Sequence, residues 1–276
     1  MLYENAMHAA DYIRERTAYR PRIAVILGSG LGSLGDQVED AEYISYSDVP
    51  GFPVSNIIGH ADRFVFGKLK GKEVVLMQGR YHYYEGFTMR QVCFPVYVLR
   101  LFGIETIVIT NACGGINETF TPGDLMLITD HINLIGVNPL IGENDERFGP
   151  RFPDMTEVYD LSLRELALHT AKEYDIPLKQ GVYGYFNGPC FETAAEIRAY
   201  KVFGADVVGM STVPEATVAN YLGMHILGLS CITNMATGLA GKAHSHEEVL
   251  RVAEQSGERL TKLVGEVLAQ LPDTKQ

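Results

Sequence analysis

Tryptophan is absent from the 276 residues, and cysteine is scarce, with only Cys93, Cys113, Cys190 and Cys231. No two of these have CxxC spacing, so they frame neither a disulfide scaffold nor a zinc site, and the usage predicts a reducing, cytoplasmic setting. Basic charge is also in short supply. With 23 Lys and Arg against 34 Asp and Glu the net charge is −11, which leaves no basic field for counterion release on DNA or RNA. Nucleic acid is therefore not an expected partner. Long apolar runs are missing too: segments such as 23–27 and 125–128 fall far short of the roughly 18 to 20 residues a membrane helix needs. The first residues carry Glu4, Asp11, Arg14, Glu15 and Arg16 instead of a secretion signal. Neither a membrane nor an export route is expected.

What remains is 46% hydrophobic, enough apolar surface for one large α/β domain spanning 1–276, and no linker, charge block or internal repeat divides it. Short β-branched runs predict strands at 22–27, 64–69, 73–78, 106–110, 125–129, 182–186, 206–208 and 226–233, with Lys70-Gly71-Lys72 as a turn. Helical periodicity predicts helices at 3–17, 89–101, 161–174, 194–203, 214–222 and 246–270. Ser162 with Glu165, Thr193 with Glu196 and Ser245 with Glu248 have capping-box spacing. Val249, Val252, Ala253, Leu260, Leu263, Val264 and Val267 form an apolar stripe that assigns the last helix to the core and leaves only its first turn for function.

Ligands of open α/β sheets sit beyond the carboxyl ends of strands, so the residues that follow each predicted strand carry the information. Small residues beside polar ones recur there: Gly28-Ser29-Gly30-Leu31-Gly32, Gly79-Arg80-Tyr81-His82-Tyr83-Tyr84-Glu85, Asn111-Ala112-Cys113-Gly114-Gly115, Asn187 to Thr193, Gly209-Met210-Ser211 and Asn234. Gly30-Leu31-Gly32-Ser33-Leu34-Gly35 formally matches GxGxxG. Asp36, Glu39 and Asp40 follow it where a pyrophosphate would be repelled, and no amphipathic helix occupies the next residues, so a dinucleotide fold is rejected. Walker A is absent as well. A glycine-rich turn with Ser29 survives, either as a plain tight turn or as a source of N–H groups for an anion.

Arg80 and His82 stand two apart, on one side of an extended segment, where a guanidinium binds a tetrahedral anion bidentately and an imidazole adds a donor. Each residue alone fits an ion pair or a satisfied polar contact equally well. Asn111 and Ser211 likewise fit turns or caps. Convergence on one sheet edge favours a phosphate-sized donor set. Glu192 precedes a helix start, where a carboxylate also suits the helix dipole. Asn234 ends a buried strand, and His246 sits in a capped first turn with His244 nearby as competitor. No cluster has metal-ligand spacing, and Ser29 lacks partners for a hydrolase triad.

These segments, together with Gly59-His60-Ala61, Asn144 to Gly149, Gly188-Pro189 and His246-Glu247-Glu248-Val249, resemble the purine nucleoside phosphorylases of the trimeric type, in order from residue 28 to 249. The resemblance implies a single-domain α/β fold, a mixed central β-sheet flanked by helices. It also implies reversible phosphorolysis of purine nucleosides such as inosine and guanosine to free base and pentose 1-phosphate, a purine-salvage reaction. By this resemblance Ser29, His60, Arg80, His82, the Ala112 backbone and Ser211 hold phosphate. Tyr84, Met210 and His246 meet the sugar, with Phe152 reaching it from a neighbouring subunit of a homotrimer. Phe191, Glu192 and Asn234 take the base, and His82, Glu192 and Asn234 serve catalysis. No metal or organic cofactor is implied, since orthophosphate is a co-substrate. Met235 stands where some relatives have Lys, and Cys190 where some have Ser.

The nearest rival is the related 5′-methylthioadenosine phosphorylase, whose pattern has Asp at the Asn234 position and an apolar residue at the His246 position. Hydrolysis by water is opposed by the phosphate donor set, and a purine-binding protein without catalysis would need no phosphate site.

Overall fold

The computed structural model describes residues 1–29, 32–54, 61–239, 241 and 245–272. In chain order the elements are α1 (Leu2–Arg14), β1 (Ile23–Ile26), β2 (Glu39–Ser45), β3 (Arg63–Leu69), β4 (Lys72–Gln78), α2 (Met89–Phe102), β5 (Thr106–Gly115), β6 (Leu125–Asn133), α3 (Leu161–Glu173), β7 (Leu178–Tyr185), α4 (Ala194–Phe203), β8 (Val207–Gly209), α5 (Val213–Tyr221), β9 (His225–Met235) and α6 (His246–Gln270).

Period-two alternation decides where the core lies. In β1, β3 and β4 the side chains of Ala24, Ile26, Phe64, Phe66, Val75 and Met77 enter one apolar layer, and Val25, Val65, Val74 and Leu76 enter another on the opposite face. Helices α1, α2 and α5 supply the first layer; α3 and α6 supply the second. The sheet is mixed, with strand order β2-β3-β4-β1-β5-β8-β7-β6-β9. Because β5 also pairs with β9 in parallel, the strands β5, β8, β7, β6 and β9 close into a ring. β1 lies parallel to both β4 and β5, so the carboxyl ends of these strands and of β9 point the same way. That shared end collects the polar residues.

Several expectations change in detail. β2 was not expected; three of its seven residues, Glu39, Asp40 and Glu42, are acidic, and it pairs with β3 at the sheet edge, where charge protects unpaired backbone. β5 runs on through Asn111, Ala112 and Cys113, and β9 through Asn234, so these residues lie within strands rather than after them. A register shift at Cys113/Gly114 in the β5–β9 pair re-aims the side chains there. α1 ends at Arg14 rather than 17. The cap of α3 is Asp160, which accepts from the Leu163 N–H at 3.0 Å, while Ser162 donates to Asp160 instead of capping. Thr193 with Glu196 forms the expected reciprocal box, and Ser245 accepts from the Glu248 N–H at 3.1 Å. The Lys70-Gly71 turn joins β3 to β4 with both φ angles positive, 52° and 79°. From 134 to 160 the chain has neither helix nor strand.

Candidate active site

A cavity of about 410 Å³ opens at the shared carboxyl end of the strands. Its lining includes Ser29 after β1, Arg80, His82 and Tyr84 after β4, Ala112 in β5, Phe191 and Glu192 before α4, Met210 and Ser211 after β8, and Asn234 in β9. Phe152 is not in the lining and stands 88% exposed. His60 and the side chain of His246 lie outside the described residues, although α6 does begin at His246. Val249, expected in the core stripe, is half-buried and faces the cavity from the first turn of α6, whereas Val252, Ala253, Leu260, Leu263, Val264 and Val267 are buried.

Close approach of backbones builds the floor. A Cβ on Gly28 would come within 2.7 Å of the Asn111 Cα, so β1 and β5 converge there only because residue 28 is glycine. The Gly28 N–H donates to the Thr110 hydroxyl at 3.0 Å, and that hydroxyl donates to the Ile26 carbonyl at 2.9 Å. Gly188 plays the same part opposite: its φ is +68°, and a Cβ would meet Met210 Sδ at 2.6 Å and Tyr84 at 2.9 Å. The 187–193 segment is thereby pressed against the middle of the cavity.

Arg80 is 3% exposed, which removes the surface ion pair as its explanation. Its Nη2 donates to the Thr110 carbonyl and, at 3.4 Å, to the Ile26 carbonyl; Nη1 reaches Ser211 Oγ at 3.2 Å and Thr212 Oγ1 and Glu215 Oε1 at 3.5 Å. Extended geometry sends the intervening Tyr81 the other way, into the ring cluster of Tyr46, Phe52 and Phe87. His82 is held from two sides. Its ring stacks on Tyr84 with centroids 4.8 Å apart, and Nδ1 lies 3.2 Å from Glu85 Oε1, which also accepts from the His82 N–H at 2.6 Å. A carboxylate on Nδ1 fixes the tautomer that presents Nε2.

Elsewhere in the lining, Glu192 is 7% exposed, and burial pushes its carboxyl above the ordinary range, with the like charge of Glu196 adding to the shift. Glu192 stands just before the N-cap Thr193, where the α4 dipole favours the ionised form, so its upward shift means that burial outweighs the dipole. Asn234 is oriented by its neighbours: Oδ1 accepts from the Thr233 hydroxyl at 2.9 Å, and Nδ2 donates to the Met235 carbonyl at 3.2 Å. The Met235 sulfur lies beside Gly115.

Thr212, Glu215 and the bond from Glu85 to His82 were not read from the sequence. Thr212 and Glu215 do have capping-box spacing, which signals a helix start; yet Thr212 makes no side-chain cap on α5, and both side chains turn to Arg80 instead. A second cavity of about 400 Å³ lies at the opposite strand ends. Among its lining groups Arg22 pairs with Glu105 at 2.9 Å, and His225 Nδ1 lies 2.6 Å from Asp160 Oδ2. Among the described residues no group of His, Cys, Asp and Glu is placed to hold a metal ion, and no helix is long and apolar enough to cross a membrane.

The family model described as Phosphorylase superfamily matches residues 22–269. Purine nucleoside phosphorylase 1 of Bacillus subtilis (strain 168) is 50% identical over 262 residues, covering 95% of this chain and 97% of that protein. Two solved structures superpose with TM-scores of 0.93 and cover 98% of each chain: Schistosoma mansoni purine nucleoside phosphorylase in complex with adenosine, 39% identical, and the schistosoma enzyme in complex with hypoxanthine, 38% identical.

Proposed function

The chain belongs to the phosphorylase superfamily, and on that premise we propose that it catalyses reversible phosphorolysis of purine nucleosides, giving free base and pentose 1-phosphate. One observation carries the reading: a single cavity is lined both by an anion-binding donor set and by a carboxylate with an amide. Arg80, Ser211, His82, Ser29 and the Ala112 backbone supply the donor set. Tyr84 and Met210 line the same cavity and suit a sugar, whose 5′ side His246 would approach from the start of α6.

The chemistry follows from where charge develops. Breaking the N-glycosidic bond leaves positive charge on the pentose and sends the bonding pair into the purine; a phosphate oxygen then bonds to C1′. Phosphate is itself the anion beside the developing cation, so the carboxylate pair of a glycoside hydrolase is not required. His82, held on Nδ1 by Glu85, presents its other nitrogen as an acceptor for the P–OH proton of monohydrogen phosphate. Asn234 donates to the O6/N7 edge as the leaving base gains electrons, and Glu192 accepts from N1–H of a 6-oxopurine. Adenine offers an acceptor at N1, which leaves the ionised Glu192 without a partner. Such a mismatch in a desolvated pocket lowers affinity. Since a schistosomal relative holds adenosine, this preference for inosine and guanosine is one of degree. No metal or organic cofactor enters the scheme.

Assembly as a homotrimer is part of the reading, with Phe152 completing a neighbour's sugar site; support comes from its 88% exposure, which leaves the ring unburied by its own chain. A reducing cytoplasm suits the four free cysteines. The test is inosine turnover by the purified protein with and without orthophosphate. Release of hypoxanthine and ribose 1-phosphate only when phosphate is present is the expected result, and equal turnover in phosphate-free buffer would overturn it.

A further inference from the structure

Between Ser211 and Val213 the backbone turns in a way a β-branched residue rarely accepts. Thr212 has φ 75° and ψ −52°, and the Val213 N–H donates back to the Ser211 carbonyl at 2.8 Å, which closes a γ-turn. The residue is 0% exposed. Glycine would adopt this conformation without strain, so the threonine side chain is kept at a cost in backbone energy. Its hydroxyl is not spent on the helix behind it, since α5 takes no side-chain cap from Thr212.

The hydroxyl instead joins three elements. Asn111 Nδ2, from β5, donates to Thr212 Oγ1 at 3.0 Å, and Arg80 Nη1, from the segment after β4, approaches the same oxygen at 3.5 Å. Both groups are donors only, so they occupy the two lone pairs of the threonine oxygen. Its single proton must then go elsewhere, and Ser211 Oγ lies 3.2 Å away. Ser211 Oγ already receives Arg80 Nη1 at 3.2 Å, so this donor and the Thr212 O–H occupy its two lone pairs. With its lone pairs taken up by these neighbours, the serine has one polar function left, its own O–H. The open side of Ser211 is the cavity.

We infer that Thr212 is a positioning residue: its hydroxyl fixes the proton order of the Arg80–Asn111–Ser211 network so that Ser211 faces the cavity as a donor to phosphate. This rests on the phosphorolysis reading, because the anion is the group such a donor serves. Without the threonine hydroxyl, Ser211 is free to turn its proton onto a protein acceptor, and Asn111 Nδ2 loses its partner. The consequence falls on phosphate and not on the purine, whose proposed contacts, Glu192 and Asn234, are other residues of the lining.

The experiment measures phosphate and inosine KM, kcat, and phosphate affinity by calorimetry in the full chain carrying Thr212→Val, Thr212→Ser, Thr212→Gly, Ser211→Ala, or Ser211→Ala with Thr212→Val. Thr212→Val is expected to raise the phosphate KM about tenfold, in proportion to one lost buried hydrogen bond, and to leave the inosine KM within about twofold. Thr212→Ser should restore wild-type phosphate binding. Thr212→Gly relaxes the turn and guards against a folding failure of the valine variant; it too should bind phosphate weakly. In the Ser211→Ala background, Thr212→Val should add little, because its effect passes through Ser211. An equal rise in both KM values, a glycine variant with wild-type phosphate affinity, or full additivity with Ser211→Ala would overturn the inference. Wild-type turnover that ignores phosphate would overturn the phosphorolysis reading itself, and this inference with it.

Discussion

Arg80 and Glu215 illustrate how a binding residue constrains the stability of the whole chain. Their side chains are each 4% exposed, with Nη1 to Oε1 at 3.5 Å, so neither charge has water to fall back on. Removing the arginine leaves a buried carboxylate unpaired, which in comparable sites costs about 3–5 kcal/mol. Arg80→Ala should therefore lower the melting temperature sharply as well as abolish phosphate-dependent turnover. Adding Glu215→Gln should recover a large part of the stability and none of the phosphate affinity, a separation that thermal melts and calorimetry read directly. Glu192 has the opposite balance. Burial raises its carboxyl above the usual range, so the folded state binds this proton more tightly than the unfolded chain does. Its contribution to stability is thus present below the ordinary glutamate value and lost as pH rises through the raised one. Glu192→Gln should stabilise the unliganded protein at neutral pH while raising the inosine KM, an exchange of stability for binding. In the wild type the inosine KM should climb as pH falls through that raised value, because the protonated acid no longer accepts from N1–H. The glutamine variant should lack this acid limb; a parallel rise in both proteins would detach it from Glu192.

At the level of elements, the parts with strong periodicity were legible and the parts built by tertiary contact were not. α4 and α6 fall on 194–203 and 246–270, where capping residues and an apolar stripe agree. β2 escaped because an exposed edge strand needs no hydrophobic alternation, and Glu39 to Glu42 read as a loop. The tails of β5 and β9 escaped for a related reason. Asn111 and Asn234 break an apolar run, yet the ladder between the two strands carries them on, and the shift at Cys113/Gly114 is a property of the pair, invisible in either segment alone. The candidate site shows the same division. Ser29, Arg80, His82, Glu192, Ser211 and Asn234 stand out because polar residues cluster at the predicted strand ends, and all of them line one cavity. Thr212 and Glu215 were missed because their spacing states a helix cap, while their side chains answer to an arginine more than 130 positions earlier in the chain.

At the scale of the whole molecule, the segment from 136 to 160 is where the proposed assembly bears on the fold. It lacks regular structure but is not loose: the Tyr221 hydroxyl donates to Asn144 Oδ1 at 2.8 Å, Arg147 pairs with Glu4 at 2.7 Å, and Phe148 is buried against the rings of Tyr3 and Tyr97. Asn220 Nδ2 donates to the Asp154 carbonyl at 2.8 Å, which pins the far side. Between these anchors Phe152 stands out at 88% exposure, with the Arg151 guanidinium 5.8 Å from its ring centroid. A ring held outward by a fixed loop suits burial against a second subunit, since leaving it in water forgoes roughly 1.5–3 kcal/mol. Truncating a ring this exposed should leave each subunit's fold intact. Phe152→Ala is accordingly expected to keep the melting profile of the isolated subunit while raising the nucleoside KM, with the phosphate KM less affected, because the ring would close the sugar end of a neighbour's cavity. Sedimentation at assay concentration should find the wild type as a homotrimer. Full activity in a monomeric wild-type species, or an unchanged nucleoside KM in a trimeric Phe152→Ala variant, would remove the ring from the neighbour's site.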